Sequence, residues 1–338
     1  MNGDPAKSVA GATPYGLVTY LSKGGEERVG LLLDGWVVEI ARALAFWGTA
    51  TGRDVGSRAA VPSMLALLES WETYEPLLTA AAAFSAHDPE AVPGSFGLAD
   101  VRLLAPVPRP GKVLDVGLNY YEHAEEMGMT IPEGAAPNVF YKGAADAVIG
   151  PSQAIRLTST KVDWEAELAL VIGRTACAVS VDRALDYVAG YTCHNDVTDR
   201  LALVRADGGT DFLAGKARDT YAALGPALVP RRFVPRPDDL RVCCRVNGDV
   251  VQDYSTSGMY WDVARCVAYV SSLTTLRPGD VLGLGTGAGT GWAHGAPEPR
   301  SLAGVVAHMK SGGGRYLGSG DRVAVEIEGV GILENEVA

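Results

Sequence analysis

Two carboxylates interrupt an otherwise apolar stretch at residues 164–173, WEAELALVIG. The stretch has the pattern of a β-strand, in which side chains alternate between the two faces. Glu165 and Glu167 therefore share one face, and both faces continue with apolar residues, as in a strand covered on both sides. Burying two like charges is costly unless a positive group meets them. The pair predicts a site for a hard divalent cation; the alternative is a solvated pair on an edge strand.

A third carboxylate follows about 30 residues later, where the run GYTCHNDVTDR (190–200) reaches Asp196. An Asp at the end of a second strand could complete a three-carboxylate site. The alternative is that Asp196 is an ordinary turn or capping residue. His194, two residues earlier, is interpreted as a structural histidine with satisfied hydrogen bonds.

The segment GLNYYEHAEEMG (117–128) contains a possible acid–base pair. We expect Asn119 to cap a short helix in which His123 and Glu126 stand at positions i and i+3, on one face. A carboxylate there holds the imidazole in one tautomer and raises its basicity, as a water-activating base requires. The alternative is an exposed helical pair without chemical function.

Two further features could contact a ligand. Lys216 lies between apolar residues and a turn, where it could reach an anionic substrate group or simply be surface charge. The loop GLGTGAGTG (283–291) looks like a phosphate-binding loop but lacks the Lys-Ser/Thr pair and opens no helix. It is interpreted as a tight backbone loop that can approach a ligand closely.

The N-terminal elements that would support these groups are short. Residues 16–45 predict strands joined by hairpin turns at 24–25 and 34–35. A helix is expected over 62–84, and 85–100 is rich in turn-forming residues and is the best linker. We therefore predict a small N-terminal domain with linker at 1–104 and a main domain at 105–338.

Strand patterns dominate the second half, at 112–117, 166–172, 226–230, 241–246, 280–284 and 322–328. Helices are expected at 181–189 and at 258–273, the second capped by Ser257. The elements do not alternate strictly between strand and helix, which argues against a doubly wound nucleotide-binding fold. The pattern predicts a mixed α+β, mainly β fold of mostly antiparallel strands.

Composition narrows the choice of partners. The net charge of −11 argues against nucleic acid and anionic membrane surfaces. There is no apolar run long enough for a membrane span, and the first residues lack the apolar core of a signal peptide. The five cysteines have no paired CxxC spacing and are interpreted as reduced thiols. We expect a cytoplasmic protein.

The order of these motifs resembles the fumarylacetoacetate hydrolase family, over essentially residues 102–338. VGLLLDGWVVEI (29–40) also resembles the small extra domain of its longer members, such as acylpyruvate and fumarylpyruvate hydrolases. The matching stretches are GLNYYEHAEE (117–126), PNVFYKG (137–143), DWEAELALVIGR (163–174), GYTCHNDVT (190–198), the GK of 215–216 with the LGP of 224–226, VNGDVVQDYSTSGM (246–259), YVSSLTTLRPGDVLGLGTG (269–287) and GDRVAVEIEGVGILENEV (320–337).

The resemblance implies roles for particular residues. Glu165, Glu167 and Asp196 match the family's metal ligands, usually for Mg²⁺ or Mn²⁺, with Ca²⁺ a further candidate in crystals. His123 and Glu126 match its catalytic dyad, and Lys216 its active-site lysine. The residues implied to contact the substrate are Tyr120, Gln252, Thr256 and Thr286. The implied fold is a β-sandwich roll with the site at one open end, typically in a homodimer.

The implied reaction is hydrolysis of a C–C bond in a 2,4-diketo acid such as an acylpyruvate. His123, oriented by Glu126, would activate water for attack at C4, Lys216 would offset negative charge, and the metal would stabilise the enolate that leaves. The same scaffold also serves 2-oxo acid decarboxylation, dehydration and isomerisation. A non-catalytic metal- or ligand-binding protein is the alternative from a different class.

The sequence departs from the family pattern around the pocket rather than at the metal ligands. Val197-Thr198-Asp199-Arg200-Leu201 follows Asp196, Lys216 is followed by Ala217-Arg218-Asp219, and the 285–291 loop has lost its proline. A longer insertion occupies 292–319. We expect this insertion, together with 117–136, to form a lid; the acyl group of the substrate is not specified by the sequence.

Overall fold

The computed structural model describes residues 14–56, 61–143 and 145–338. Within these ranges the strands are β1 Gly16–Leu21, β2 Glu27–Leu33, β3 Trp36–Glu39, β4 Ser95–Gly97, β5 Arg102–Leu103, β6 Val113–Gly117, β7 Asn138–Gly143, β8 Val148–Ile149, β9 Val162–Asp163, β10 Ala166–Ile172, β11 Val188–Asp196, β12 Thr198–Asp199, β13 Ala222–Pro230, β14 Arg241–Val246, β15 Asp249–Ser255, β16 Val281–Gly283, β17 Arg322–Ile327 and β18 Gly331–Glu336. The α-helices are α1 Ile40–Thr51, α2 Met64–Glu69, α3 Trp71–Ser85, α4 Tyr121–Glu126, α5 Arg200–Leu203, α6 Phe212–Lys216, α7 Val263–Leu273 and α8 Leu302–Lys310. The predicted mixed α+β, mainly β class is confirmed.

The N-terminal strands form an antiparallel meander in the order β4-β3-β2-β1. Asp34 and Gly35 both have positive φ, the backbone geometry that tight hairpins prefer, so the predicted turn is confirmed. β4 lies inside the predicted linker 85–100 and pairs with β3, so that linker is partly ordered as sheet. β1 continues into the main sheet by pairing with β13 at Leu17 and Leu228. The domain boundary near residue 104 stays a prediction.

The prediction of one continuous helix over 62–84 is wrong, because the structure has two helices there, α2 and α3. Ser70 leaves helical geometry, with φ of −121° and ψ of 30°, and separates α2 from α3. The N–H groups of Thr73 and Tyr74 then donate back to the carbonyl of Ser70, which begins the second helix. The apolar periodicity spans both helices, so it does not reveal the break.

The site is built on the main sheet, in which β13, β11, β10, β16, β6 and β7 are neighbours in that order. Every residue of β10 and β11 is buried, as predicted for a strand covered on both faces. The pairs are antiparallel except that β16 runs parallel to β6 and β8 parallel to β13. A four-stranded antiparallel sheet, β15-β14-β17-β18, packs against β10, β11 and β13.

Two predicted helices differ from the structure. The 181–189 segment forms a 3-10 helix at Val181–Tyr187, and β11 already begins at Val188. The 258–273 helix begins only at Val263 and is capped by Asp262 rather than Ser257. The N–H of Val263 donates to Asp238 Oδ1 over 2.9 Å, and this tertiary contact fixes the first turn at that point.

Candidate active site

The three predicted carboxylates converge at the edge where β10 begins and β11 ends. Glu165 and Asp196 are joined through the backbone, since the N–H of Asp196 donates to the carbonyl of Glu165 over 2.9 Å. Glu165, Glu167 and Asp196 each place one oxygen within 4.8 Å of the others, and all three are buried. The alternation of β10 and the register with β11 therefore bring residues about 30 positions apart into one cluster.

Lys216 lies inside this cluster rather than on the surface. Its Nζ donates to Glu165 Oε2 over 2.7 Å and also contacts Asp196. A second lysine, Lys142, has its Nζ 2.5 Å from Asp196 Oδ1 and is fully buried. Burial acts to lower the pKa of Lys216, but Asp196 and Glu165 outweigh it, so that pKa is raised and the side chain is cationic. Lys216 at the end of α6 thus offsets part of the negative charge.

Sequence reasoning missed a buried ion-pair chain behind Glu165. Arg200 donates through Nη2 to Glu165 Oε1 over 2.6 Å and through Nε to Asp163 Oδ2 over 2.9 Å. Asp163 also accepts from the N–H groups of Gly291 and Trp292, at 2.8 and 3.1 Å. Arg200 lies 4.3 Å from the ring centroid of Trp292. These ion pairs and hydrogen bonds connect Glu165, a candidate metal ligand, to Gly291 and Trp292, where the 292–319 insertion starts.

The carboxylate cluster suits a hard divalent ion by its donor chemistry. Carboxylate oxygens are the ligands that Mg²⁺, Mn²⁺ and Ca²⁺ prefer. Burial and the nearby carboxylates of Asp115 and Asp196 hold the pKa of Glu167 well above its ordinary value. A divalent cation relieves this repulsion directly, although Lys216 competes for oxygens of Glu165 and Asp196. The residues present therefore fit a metal ion.

His194 lies beneath the cluster, paired across from Glu167 in the β10–β11 ladder. Its Nδ1 is 3.0 Å from the carbonyl of Ala223, and its Nε2 is 3.3 Å from Asp115 Oδ2. Both ring nitrogens are thus engaged, in agreement with a structural histidine. Asp115, Glu167 and His194 also form a second group with metal-ligand spacing, which shares Glu167 with the first.

The predicted acid–base pair is formed on α4. His123 Nδ1 lies 2.7 Å from Glu126 Oε1, and both side chains are over nine-tenths buried. Glu126 also accepts from the N–H of Gly289 and from Thr290 Oγ1, both over 2.8 Å. Burial acts to raise the pKa of Glu126, but its hydrogen bonds with His123, Gly289 and Thr290 outweigh burial and hold that pKa below its ordinary value. Glu126 is therefore an anion that orients His123.

Asn119 does not cap this helix as predicted. The N-cap position is occupied by Tyr120, without a side-chain capping bond. Asn119 is fully buried, and its Nδ2 donates to the carbonyls of Leu284 and Trp261 over 2.8 and 3.1 Å. The residue thus joins the segment before α4 to the end of β16. It positions the dyad through the backbone rather than through a cap.

The 283–291 loop passes close to both the carboxylate cluster and the dyad, while its approach to a ligand stays a prediction. The N–H of Gly285 donates to Glu167 Oε2 over 3.0 Å, and that of Gly289 reaches Glu126. A Cβ on Gly283 would lie 2.3 Å from Asp115 Oδ1 and 2.6 Å from Glu167 Oε2. Only glycine therefore fits where the backbone passes the carboxylates.

His123 of the dyad and the three carboxylates line one cavity of about 370 Å³. Its lining includes His123, Glu165, Glu167, Asp196, Arg200, Lys216 and Thr286. Met127 and Met129 from the 117–136 segment and Trp292 and Leu302 from the insertion also line it. The two segments predicted to form a lid touch each other, since a Cβ on Gly128 would lie 2.3 Å from the backbone of Arg300.

Three of the four residues expected to contact substrate lie outside this lining. The side chain of Gln252 binds the main sheet, accepting from the N–H of Ala166 over 2.9 Å and donating to Thr286 Oγ1 over 2.8 Å. Thr256 is fully buried and accepts from the N–H of Leu240 over 2.8 Å. Tyr120 packs edge-on against Tyr254. The side chains of these three residues form hydrogen bonds and packing contacts outside the cavity lining. Of the four residues, only Thr286 lines the cavity.

Comparison with known proteins identifies the same family as the order of the sequence motifs. A sequence model described as the fumarylacetoacetate (FAA) hydrolase C-terminal family matches residues 112–338. The chain is 38% identical to the human oxaloacetate tautomerase FAHD2A, mitochondrial, over 240 residues, which cover 70% of each protein.

Solved structures match over nearly the whole chain. One is 2-hydroxyhepta-2,4-diene-1,7-dioate isomerase from Mycobacterium marinum, with a TM-score of 0.65, 30% identity and 96% and 98% of the two chains covered. Another is maleylpyruvate hydrolase from Sphingobium sp. SYK-6 in complex with manganese(II) ion and pyruvate, with a TM-score of 0.67, 26% identity and 96% and 98% covered. Among the described residues, none of the helices is long and apolar enough to span a membrane.

Proposed function

Because the chain belongs to the fumarylacetoacetate hydrolase family, whose members include hydrolases, isomerases and tautomerases, we propose one reaction among these. The protein is a divalent-metal-dependent hydrolase that cleaves a C–C bond in a 2,4-diketo acid. The observation that carries the proposal is that His123, held by Glu126 at 2.7 Å, lines the same cavity as the three carboxylates. A base and a metal site on one cavity are what hydrolysis of this substrate class requires.

Glu165, Glu167 and Asp196 are the proposed metal ligands. When bound there, Mg²⁺ or Mn²⁺ supplies a Lewis acid for the 2-oxo acid end of the substrate. Arg200 and Lys216 hold Glu165 in place, so its carboxylate is fixed before any ligand arrives. The choice between the two ions and the predicted homodimer and cytoplasmic location remain predictions.

The dyad supplies the proton chemistry. Glu126 occupies Nδ1 of His123, which leaves Nε2 as the nitrogen that accepts a proton from water. Hydroxide adds to the C4 carbonyl, the C3–C4 bond breaks with its electron pair going to C3, and C3 then takes up a proton. The products are a carboxylic acid and pyruvate. Lys216 offsets the negative charge that develops on the substrate oxygen atoms.

A second candidate reaction is keto–enol tautomerisation of a 2-oxo acid. It is favoured by the curated relative, an oxaloacetate tautomerase that is 38% identical to this chain. The same base serves it, since His123 would move a proton between C3 and the 2-oxo oxygen without activating water. The two reactions differ in the proton that His123 removes, from water in hydrolysis and from C3 in tautomerisation.

Product analysis on a panel of acylpyruvates distinguishes them, with Mg²⁺ or Mn²⁺ and with EDTA. Hydrolysis is expected to release pyruvate and the free acid in a metal-dependent way. Conversion of enol-oxaloacetate to its keto form, with no cleavage of any diketo acid, would replace the hydrolase by the tautomerase. Tight metal binding with no turnover of either kind would instead indicate a non-catalytic binding protein.

The role assigned to the dyad can be tested with two variants and one control. Glu126→Gln and His123→Ala are expected to lower hydrolysis by about 10²–10⁴-fold, the usual effect of losing general-base catalysis. Glu125→Gln changes the neighbouring exposed residue of the same helix and is expected to retain activity. Hydrolysis that survives His123→Ala would show that another group activates the water.

A further inference from the structure

Most of the uncharged residues that line the cavity are apolar, and the polar ones among them are Asn138, Thr210 and Thr286. The titratable side chains belong to the dyad, the carboxylate cluster and its cations. The Phe140 and Phe212 rings stack with centroids 4.7 Å apart, and Lys216 Nζ lies 4.9 Å from the Phe140 ring. The rest of the apolar lining includes Met127, Met129, Leu203, Trp292 and Leu302. A pocket of this character binds apolar substituents better than charged ones.

The apolar lining is a packed structure and not a chance collection of exposed side chains. Met127, Leu203 and Trp292 belong to a small hydrophobic cluster completed by Val305 and Met309 of α8. This cluster is separate from the main core, and three of its buried members, Met127, Leu203 and Trp292, line the cavity. The α8 part comes from the 292–319 insertion, where the sequence departs from the family pattern.

Both cations on the cavity are already paired. Among the described residues that line it, the cationic side chains are Arg200 and Lys216. Arg200 binds Glu165 and Asp163, and Lys216 binds Glu165 and Asp196. A second carboxylate at the far end of a substrate would meet uncharged, mostly apolar side chains and no free cation among these lining residues. An unpaired buried carboxylate is strongly disfavoured.

We infer that the part of the substrate beyond its 2-oxo acid end is uncharged and apolar, an alkyl or aryl acyl group rather than a second carboxylate. The inference rests on the proposed function for the placement of the 2-oxo acid at the carboxylate cluster. It adds the chemical class of the acyl group, which is set by the lining of the cavity.

Binding measurements test this without any turnover. The probes are 2-oxo acids of increasing length, titrated calorimetrically into the full-length protein loaded with Mn²⁺. From pyruvate to 2-oxohexanoate the Kd is expected to fall about fourfold for each added methylene, the factor for burying one such group. The matched diacids, 2-oxoglutarate against 2-oxopentanoate and 2-oxoadipate against 2-oxohexanoate, are expected to bind at least about tenfold more weakly, as an unpaired buried charge requires. Diacids that bind as tightly as their matched monoacids, or an affinity that is independent of length, would overturn the inference.

A charge placed on the cavity wall gives a second test. Leu302 lies in the first turn of α8, lines the cavity and is 36% exposed, so the fold tolerates a polar side chain there. Leu302→Arg is expected to shift the ratio of 2-oxoadipate to 2-oxohexanoate affinity at least about tenfold towards the diacid, as a new charge-assisted hydrogen bond would. Leu302→Gln, polar but uncharged, is expected to leave that ratio within about twofold of wild type, since it adds no charge. Equal shifts in both variants would count against the inference.

The two proposals fail in different ways. Loss of the proposed function appears as no cleavage of any diketo acid while the preference for apolar 2-oxo acids persists. Failure of this inference appears as turnover or binding that favours diacids over monoacids of equal length. Absence of binding for every 2-oxo acid would overturn both.

Discussion

Lys216 Nζ donates to Glu165 Oε2 over 2.7 Å and contacts Asp196 at the same time, so one ammonium bridges two of the three candidate metal ligands. The ammonium offsets part of the cost of burying two carboxylates close together. It also means that lysine and metal draw on the same oxygens. Lys216 therefore influences metal affinity as well as substrate chemistry.

Replacing this lysine separates the two effects. Lys216→Met keeps the aliphatic length but removes the positive charge beside Glu165 and Asp196. We expect tighter Mn²⁺ binding, because a competing cation is lost, together with a fall in kcat of about 10²-fold or more, because developing negative charge is no longer offset. Calorimetry and steady-state kinetics measure the two quantities. Weaker Mn²⁺ binding in the variant would contradict the competition described here.

The raised pKa of Glu167 predicts that the stability of the metal-free protein depends on pH. Burial and its carboxylate neighbours raise the pKa of Glu167 well above its ordinary value, so the folded state holds a proton that the unfolded state releases. Stability then falls as pH rises above about 4.3, the ordinary pKa of glutamate, towards the raised folded-state value. Glu167→Gln removes this loss while still accepting from the N–H of Gly285.

Urea unfolding in EDTA from pH 5 to pH 8 measures that difference. We expect the free energy of unfolding of Glu167→Gln to rise relative to that of wild type as the pH increases. Added Mn²⁺ should stabilise wild type and have little effect on the variant, because one carboxylate ligand is gone. Parallel pH profiles for the two proteins would mean that Glu167 is ionised in the metal-free fold.

Local periodicity explains why much of the site could be predicted. Glu165 and Glu167 share a strand face, and His123 and Glu126 share a helix face, whatever the rest of the chain does. Asp196 is different, because its spacing of about 30 residues from the pair left a turn or capping role open, and its place in the site was implied by the resemblance to the family.

The partners of these groups could not be predicted, because tertiary packing chooses them. Lys142 and Arg200 look like surface charges in the sequence, and nothing local indicates that each meets a buried carboxylate. Gln252 is similar: the resemblance to the family implied a substrate contact, but its side-chain amide binds Ala166 and Thr286 instead. The start of α7 was missed for the same reason, since Asp238 fixes Val263 from a distant segment.

The buried ion pair of Asp163 predicts that a residue outside the cavity lining has a large effect on stability. Asp163→Asn leaves the buried guanidinium of Arg200 with one carboxylate instead of two and loses an acceptor for Trp292. Breaking a buried ion pair in this way costs about 3–5 kcal/mol of unfolding free energy. Asp249→Asn removes an exposed pair with Arg315 and is the control, for which almost no change is expected. Equal losses of unfolding free energy in the two variants, measured with urea, would show that the buried pair of Asp163 stabilises the fold no more than the exposed pair of Asp249.

Gly128 links the dyad helix to the insertion, and its replacement by Ala tests whether that contact matters for catalysis. Gly128 has φ of +63°, just after α4, and a Cβ there would lie 2.3 Å from the backbone of Arg300. Gly134 has φ of +73° with no atom within 4 Å of a Cβ, so Gly134→Ala carries the same backbone strain without the collision. Both variants should lose about 1–2 kcal/mol of stability from the left-handed backbone. Only Gly128→Ala should also lose kcat, by about tenfold or more, because the collision moves α4 and with it His123. Manganese affinity should be unchanged in both, since the carboxylates lie on other elements; a similar kcat in the two variants would mean that the dyad is positioned without help from the insertion.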